Sequence, residues 1–107
     1  MTVPPDGGLA ITPDELAQVQ AILTRVLPAD VRAGVFGSRA RGNPKPWSDL
    51  DLVLEGQGPL PLSLMAELAE AFDESALPWK VDLVDRASVG DAFGRIIDAA
   101  TVALPRA

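Results

Sequence analysis

The stretch Asp49-Leu50-Asp51-Leu52-Val53-Leu54 leaves a chain of this kind few choices. Its leucines recur at every second residue, the period of a β-strand rather than of a helix. On a strand, Leu50, Leu52 and Leu54 share one face, and Asp49, Asp51 and Val53 share the other. The first face has to be buried against something. The second brings two carboxylates side by side. A fold built on this strand must therefore cover one of its sides and give a reason for two negative charges on the other.

The rest of the chain supplies the cover. Thr12, Pro13 and Glu15 read as N-cap, first helical residue and capping-box partner of a helix. Its apolar face is Leu16, Val19, Leu23, Val26 and Leu27, and Pro28 ends it. Residues 1–12, with Pro4, Pro5, Gly7 and Gly8, read as a flexible arm, and residues 13–107 as a single domain. Val31 to Phe36 is a short strand closed by Gly37-Ser38. The polar segment from Arg39 to Ser48 holds Gly42, Pro44 and Pro46; it is turn and loop, with room for one helical turn after Ser38. Gly56, Gly58, Pro59 and Pro61 mark a break. A second helix spans Leu62 to Ala76 with Met65, Leu68, Ala69, Phe72 and Ala76 on one face. Val81 to Val84 is a third strand, and Ser88 begins a third helix with Val89, Ala92, Phe93, Ile96, Ile97 and Ala100 at helical spacing. Val102 to Leu104 form a final short strand or a packed tail. Helices alternating with strands predict a small sheet flanked by about three helices, an α/β (α+β) architecture.

Composition narrows the chemistry. The chain has 107 residues and is 48% hydrophobic, enough for one domain with a modest core. It has no Cys, which excludes disulfides and cysteine–zinc sites, and no His, which removes the commonest general base and the usual transition-metal ligand. Acid–base or metal chemistry must then rest on carboxylates, whose oxygens favour hard cations such as magnesium or manganese. The formal charge of −6 argues against direct nucleic-acid binding. With no Tyr, the chain cannot modify itself on a tyrosine. Apolar runs are broken well before the roughly 20 residues that span a bilayer. Met1, Thr2, Val3 and two prolines make no signal segment. A soluble, cytoplasmic protein without a membrane partner is expected.

Taken alone, D-x-D is most often a solvated strand face. Gly37-Ser38 taken alone is most often an ordinary turn. Held close and partly desolvated, however, Asp49 and Asp51 repel strongly unless a divalent cation lies between them. The turn after the first strand offers free N–H groups and a hydroxyl to a phosphate. A third carboxylate, Asp82, lies in Lys80-Val81-Asp82-Leu83-Val84 and joins the pair if that strand neighbours the second. Its bland alternative is a surface acid on an edge strand.

The succession G-S-x-A-R-G, a short Pro-containing loop, S-D-x-D-L and a later lone Asp in an apolar strand resembles the DNA polymerase beta-like nucleotidyltransferase superfamily. Within it, the chain resembles the minimal nucleotidyltransferases, MntA-type antitoxins of HEPN-domain toxins, over residues 13–104. The resemblance implies a polymerase beta-like fold with a mixed sheet. It implies two magnesium ions on Asp49, Asp51 and Asp82, with Asp82 helping to deprotonate the acceptor hydroxyl. It implies ATP as co-substrate, its triphosphate held by Gly37 through the backbone and Ser38 through the hydroxyl. The activity it implies is AMP transfer from ATP to a tyrosine hydroxyl of a cognate HEPN toxin. The alternatives are a non-catalytic antitoxin that blocks its toxin sterically, and an aminoglycoside-type transferase, which usually carries an extra helical domain.

Arg39, Arg41 and Lys45 form a local basic patch beside the turn. Arg39 and Arg41 are candidate phosphate contacts, against the alternatives of an acidic partner surface or plain solvent. Arg41 can also pair with a site carboxylate. Trp47 is a base-stacking or packing residue, and Ser48 a turn residue orienting Asp49. Asp85 has the wrong strand parity to share the face of Asp82 and falls outside the site.

Overall fold

The computed structural model describes residues 9–42, 45 and 47–105. Pro4, Pro5, Gly7 and Gly8 of the arm, and the loop residues Pro44 and Pro46, lie outside the described residues. The elements run α1 (Pro13–Val26), β1 (Arg32–Phe36), the short α2 (Ser38–Arg41), β2 (Leu50–Glu55), α3 (Leu62–Asp73), β3 (Val81–Asp85), a 3-10 turn (Arg86–Ser88), α4 (Asp91–Ala100) and β4 (Val102–Leu104). α1 starts on the capping box read from the sequence. Glu15 N donates to Thr12 Oγ1 at 3.1 Å, and Thr12 N donates to Glu15 Oε1 at 2.9 Å. Each bond satisfies an N–H that the helix cannot.

The four strands form one mixed sheet in the order β3-β2-β1-β4. β1 runs antiparallel to β2 and β4, and β2 runs parallel to β3. A parallel pair cannot be joined by a hairpin, so α3 makes the crossover. Leu50, Leu52 and Leu54 are fully buried on the sheet face that also carries Val35. Val19, Ile22 and Leu23 of α1 and Leu68 and Phe72 of α3 complete that core. Each fully buried leucine contributes about 1.5–3 kcal/mol through removal from water.

The other face is covered more thinly. α4 stands beside it, and a cleft there is lined by Gly34, Val53, Arg86, Asp98 and Thr101. Gly34 is required by the close crossing of the chain, since a Cβ would collide with the Thr101 methyl group and come within 3.2 Å of the Val102 carbonyl. Val53 and Ile97 are buried but stand outside the main core.

Two expectations are corrected. The arm read as residues 1–12 packs at its end: Leu9 and Ile11 are buried in the core, and Ala10 N donates to Arg39 O at 2.9 Å. Two apolar side chains at alternate positions suffice to hold such a segment down. The last helix starts at Asp91 rather than Ser88, because the Asp85 carboxylate accepts from Ala87 N and Ser88 Oγ and closes a separate 3-10 turn. Of its predicted apolar face only Ile97 is buried; Phe93 and Ile96 are exposed. Among the described residues no helix is long and apolar enough to cross a membrane.

Candidate active site

The site is assembled at one end of the thinly covered face. Asp51 in β2 stands opposite Phe36 of β1 and directly beside Asp82 of β3. Register partners on neighbouring strands project to the same side and are spaced about 4.8 Å apart. The parallel β2–β3 pairing thus brings together two carboxylates that are distant in sequence. Asp49 lies just ahead of β2, where Leu50 N donates to Lys80 O at 2.9 Å and extends the ladder past the strand start.

Gly37 follows Phe36 at the end of β1 with φ 76°, a left-handed conformation that disfavours any side chain. A Cβ here would also collide with the Asp51 carboxylate. The turn and the aspartate are in contact, so Gly37 is fixed by both conformation and space. Ser38, half-buried, begins α2, and Gly42 closes it in the αL region with its N–H on Ser38 O.

Electrostatics register the crowding. The Asp51 carboxyl is pushed above the ordinary aspartate value of 3.8, first by burial, then by the charges of Asp82 and Asp49, with Arg41 opposing. The charges of Asp49 and Asp82 thus both act on Asp51. They are not closed into a cage: among the described residues no three acidic side chains already converge on one point fit to hold an ion. Asp82 Oδ1 instead lies 3.6 Å from Lys80 Nζ, in a solvent-exposed pair. The donor set suits a hard divalent cation, which would relieve the repulsion that the structure shows at Asp51.

Arg41 is exposed, and its charge reaches Asp51. Arg39 does something other than the phosphate contact expected of it. Its side chain is buried, with Nε and Nη2 donating to Ser48 O at 3.1 and 2.8 Å and Nη1 donating to Ala10 O at 2.9 Å. The guanidinium lies 4.7 Å from the centre of the Trp79 ring. Each guanidinium nitrogen is thus committed to a backbone carbonyl within the protein. Nothing in the sequence separates Arg39 from Arg41, since both sit in a polar loop; the residues that enclose Arg39, Ala10 and Trp79, are remote from it in the chain.

The loop residues take local roles. Ser48 accepts from Lys45 N at 2.9 Å through its Oγ and donates its own N–H to Lys45 O at 3.0 Å, a turn immediately before Asp49. Trp47 is 73% exposed, with Lys45 Nζ 5.8 Å from its ring centre. Asp85, buried, accepts from Leu60 N at 2.8 Å and from the 3-10 turn, so its carboxylate is structural, in keeping with its parity. A groove of about 520 Å³ lined by Leu9, Ile11, Arg39, Lys45, Pro78 and Trp79 includes none of the three aspartates.

Comparison with known proteins gives a consistent result. The model of a family described as nucleotidyltransferase domain matches residues 16–103. The probable protein adenylyltransferase MntA of Haemophilus influenzae is 45% identical over 89 residues, 83% of this chain and 77% of that protein. Among solved structures, a toxin–antitoxin crystallised with AMP-PNP superposes with a TM-score of 0.71 at 25% identity, over 86% of this chain and 73% of that one. A putative minimal nucleotidyltransferase superposes with a TM-score of 0.64 at 28% identity, over 83% of this chain and 88% of that one.

Proposed function

The chain belongs to the nucleotidyltransferase domain family, and on that premise we propose that it is a cytoplasmic, magnesium-dependent protein adenylyltransferase acting as the antitoxin of a HEPN-domain toxin. The observation that carries the proposal is the juxtaposition of Asp51 with Asp82 and with the Gly37 turn. Similarity to the MntA protein supports AMP as the group transferred and protein as its acceptor. Similarity to a toxin–antitoxin holding AMP-PNP supports an adenine nucleotide and a toxin partner.

Asp49, Asp51 and Asp82 would hold the magnesium. Bound there, magnesium supplies charge neutralisation at the phosphates and acidifies the acceptor hydroxyl. Gly37 presents its backbone to the triphosphate without a side chain in the way, and Ser38 offers a hydroxyl beside it. Arg41 adds a positive charge at the open side. The acceptor oxygen bonds to the α-phosphorus as the bond to the bridging oxygen of pyrophosphate breaks, and an Asp82 carboxylate oxygen takes the acceptor's proton. The acceptor is a tyrosine hydroxyl of the toxin.

The test is incubation with magnesium, ATP and a cognate HEPN-domain toxin, followed by mass spectrometry. A gain of adenylyl groups on a partner tyrosine is expected. It should vanish for the double substitution Asp49→Asn, Asp51→Asn. A second reading, neutralisation by binding alone, is favoured by exposed Phe93 and Ile96 on α4. It prevails if the double variant still neutralises the toxin in full.

A further inference from the structure

Arg39 bonds to the residue before Asp49, lies against the residue that leads into β3, and follows Ser38 directly in the chain. It sits in α2, one residue after Ser38. Two of its bonds end on the carbonyl of Ser48, the residue before Asp49. Its charged centre lies over the ring of Trp79, which leads through Lys80 and Val81 to Asp82. The third bond reaches Ala10, just before α1. No buried side-chain polar atom among the described residues lacks a partner, so this cation is fully accommodated where it is. Burying a guanidinium costs heavily unless it is hydrogen-bonded, and a side chain at 6% exposure in a helical turn this short and polar is an uncommon use of an arginine.

We propose that Arg39 is a positioning residue of the transferase site, locking the Ser48–Asp49 turn and the approach to Asp82 onto the helical turn that begins with Ser38. The inference rests on the reading of Asp49, Asp51 and Asp82 as metal-holding residues. Its physical content is geometric. Ser48 O is held by a fork of two N–H donors, which fixes direction as well as distance. The Trp79 ring, with the guanidinium carbon 4.7 Å from its centre, holds the cation from a third side. Lysine at this position keeps the charge but has neither a fork nor a plane, so it cannot hold Ser48 O and face Trp79 in the same way. The carboxylate of Asp49 then loses its fixed bearing relative to Asp51.

The test compares wild type, Arg39→Lys and Asp51→Asn as full-length chains. Mn2+ is titrated into each and followed by the electron paramagnetic resonance of the free ion, with thermal melting as a check on folding. Wild type should bind Mn2+ and Asp51→Asn should not; if wild type does not bind, the metal-site reading fails and not the role of Arg39. Arg39→Lys should stay folded and bind Mn2+ about 10-fold more weakly, the scale on which outer partners of metal ligands act. Its transfer rate at saturating ATP should fall by a similar factor with little change in the KM for ATP. Affinity and rate within about twofold of wild type, in a folded Arg39→Lys, overturn the proposal. Should Arg39→Lys not fold, Trp79→Leu frees one side of the guanidinium and leaves its three hydrogen bonds. A severalfold weaker Mn2+ affinity then supports the proposal, and an unchanged one refutes it.

Discussion

The two faces of β2 have opposite jobs and alternate residue by residue. Leu50, Leu52 and Leu54 are sealed beneath α1 and α3 with no exposure at all. Asp51, one residue away from two of them, stands on the face that α4 covers only in part, against Gly37 and beside Asp82. The covered face gains stability from dry, close-packed contact. The open face carries a carboxylate whose pKa is pushed up first by burial and then by the neighbouring charges of Asp82 and Asp49. The lesson is that the site borrows its rigidity from its own strand. A carboxylate cannot be held against its neighbours by contacts that its charge opposes, so it is held by leucines on the far side of the same backbone.

The sharpest way to break this comparison is to change adjacent residues. Leu52→Ala should cost about 2–5 kcal/mol of stability by leaving a cavity in a rigid core. That is a large share of the roughly 5–15 kcal/mol of a typical domain. Asp51→Asn should leave the fold intact and abolish transfer, since a lost outer partner of a metal site already costs about 10- to 100-fold. Denaturant melts beside transfer assays check the pair. If Leu52→Ala melts like wild type, the covered face is not what holds the strand.

Gly37→Ala comes next, because it acts at the join between the two faces. A Cβ on a backbone at φ 76° and ψ −157°, a region kept almost wholly for glycine, costs about 1–3 kcal/mol, and the new methyl group also displaces the Asp51 carboxylate. Stability should fall by roughly that amount in urea melts, while transfer falls far more than the stability loss explains. Equal, proportionate losses of both would mean that the turn is a hinge of the fold and not part of the site.

A smaller effect has a defined sign. The Asp51 carboxyl has a pKa raised above 3.8 in the folded chain, so ionising it opposes folding. The stability that its neutral form provides is present below the unfolded value and is lost as pH rises through the folded value. Metal-free Asp51→Asn should therefore melt higher than wild type at neutral pH, and the gap should close on acidification toward pH 3.8. Magnesium should raise the wild-type melting temperature and leave the variant unmoved. A gap independent of pH would assign the difference to packing instead of charge.

What could be read from the sequence follows the same division. The period-two leucines, the capping box at Thr12 and the positions of Asp49, Asp51 and Asp82 were legible because each is a local pattern with a local cause. The parallel register that sets Asp82 beside Asp51 was conditional on strand order, which periodicity does not give. The burial of Arg39 is not legible in the sequence because its partners Ala10 and Trp79 come from other parts of the chain. The end of the arm was misread because Leu9 and Ile11 are too few to make a period, yet enough to fill the edge of a core. In α4 the periodicity was real but its use was not: an apolar stripe says that a helix is amphipathic and says nothing about what lies opposite.

That stripe sets the smallest effect. Ile96 is 65% exposed and Phe93 48%, while Ile97 beside them is 1% exposed. An exposed apolar side chain contributes little to folding, because it meets water in both states. Ile96→Ser should thus change stability by no more than about 0.5 kcal/mol, whereas Ile97→Ala should cost about 2–5 kcal/mol. Equilibrium urea unfolding of both variants measures the contrast. A loss at Ile96 approaching that at Ile97 would mean that α4 packs on the open face with its whole apolar stripe, and the asymmetry between the two sides of the sheet would shrink accordingly. A null effect at Ile96 leaves the stripe free for contact outside this chain, which is where the binding and catalytic readings of the protein meet.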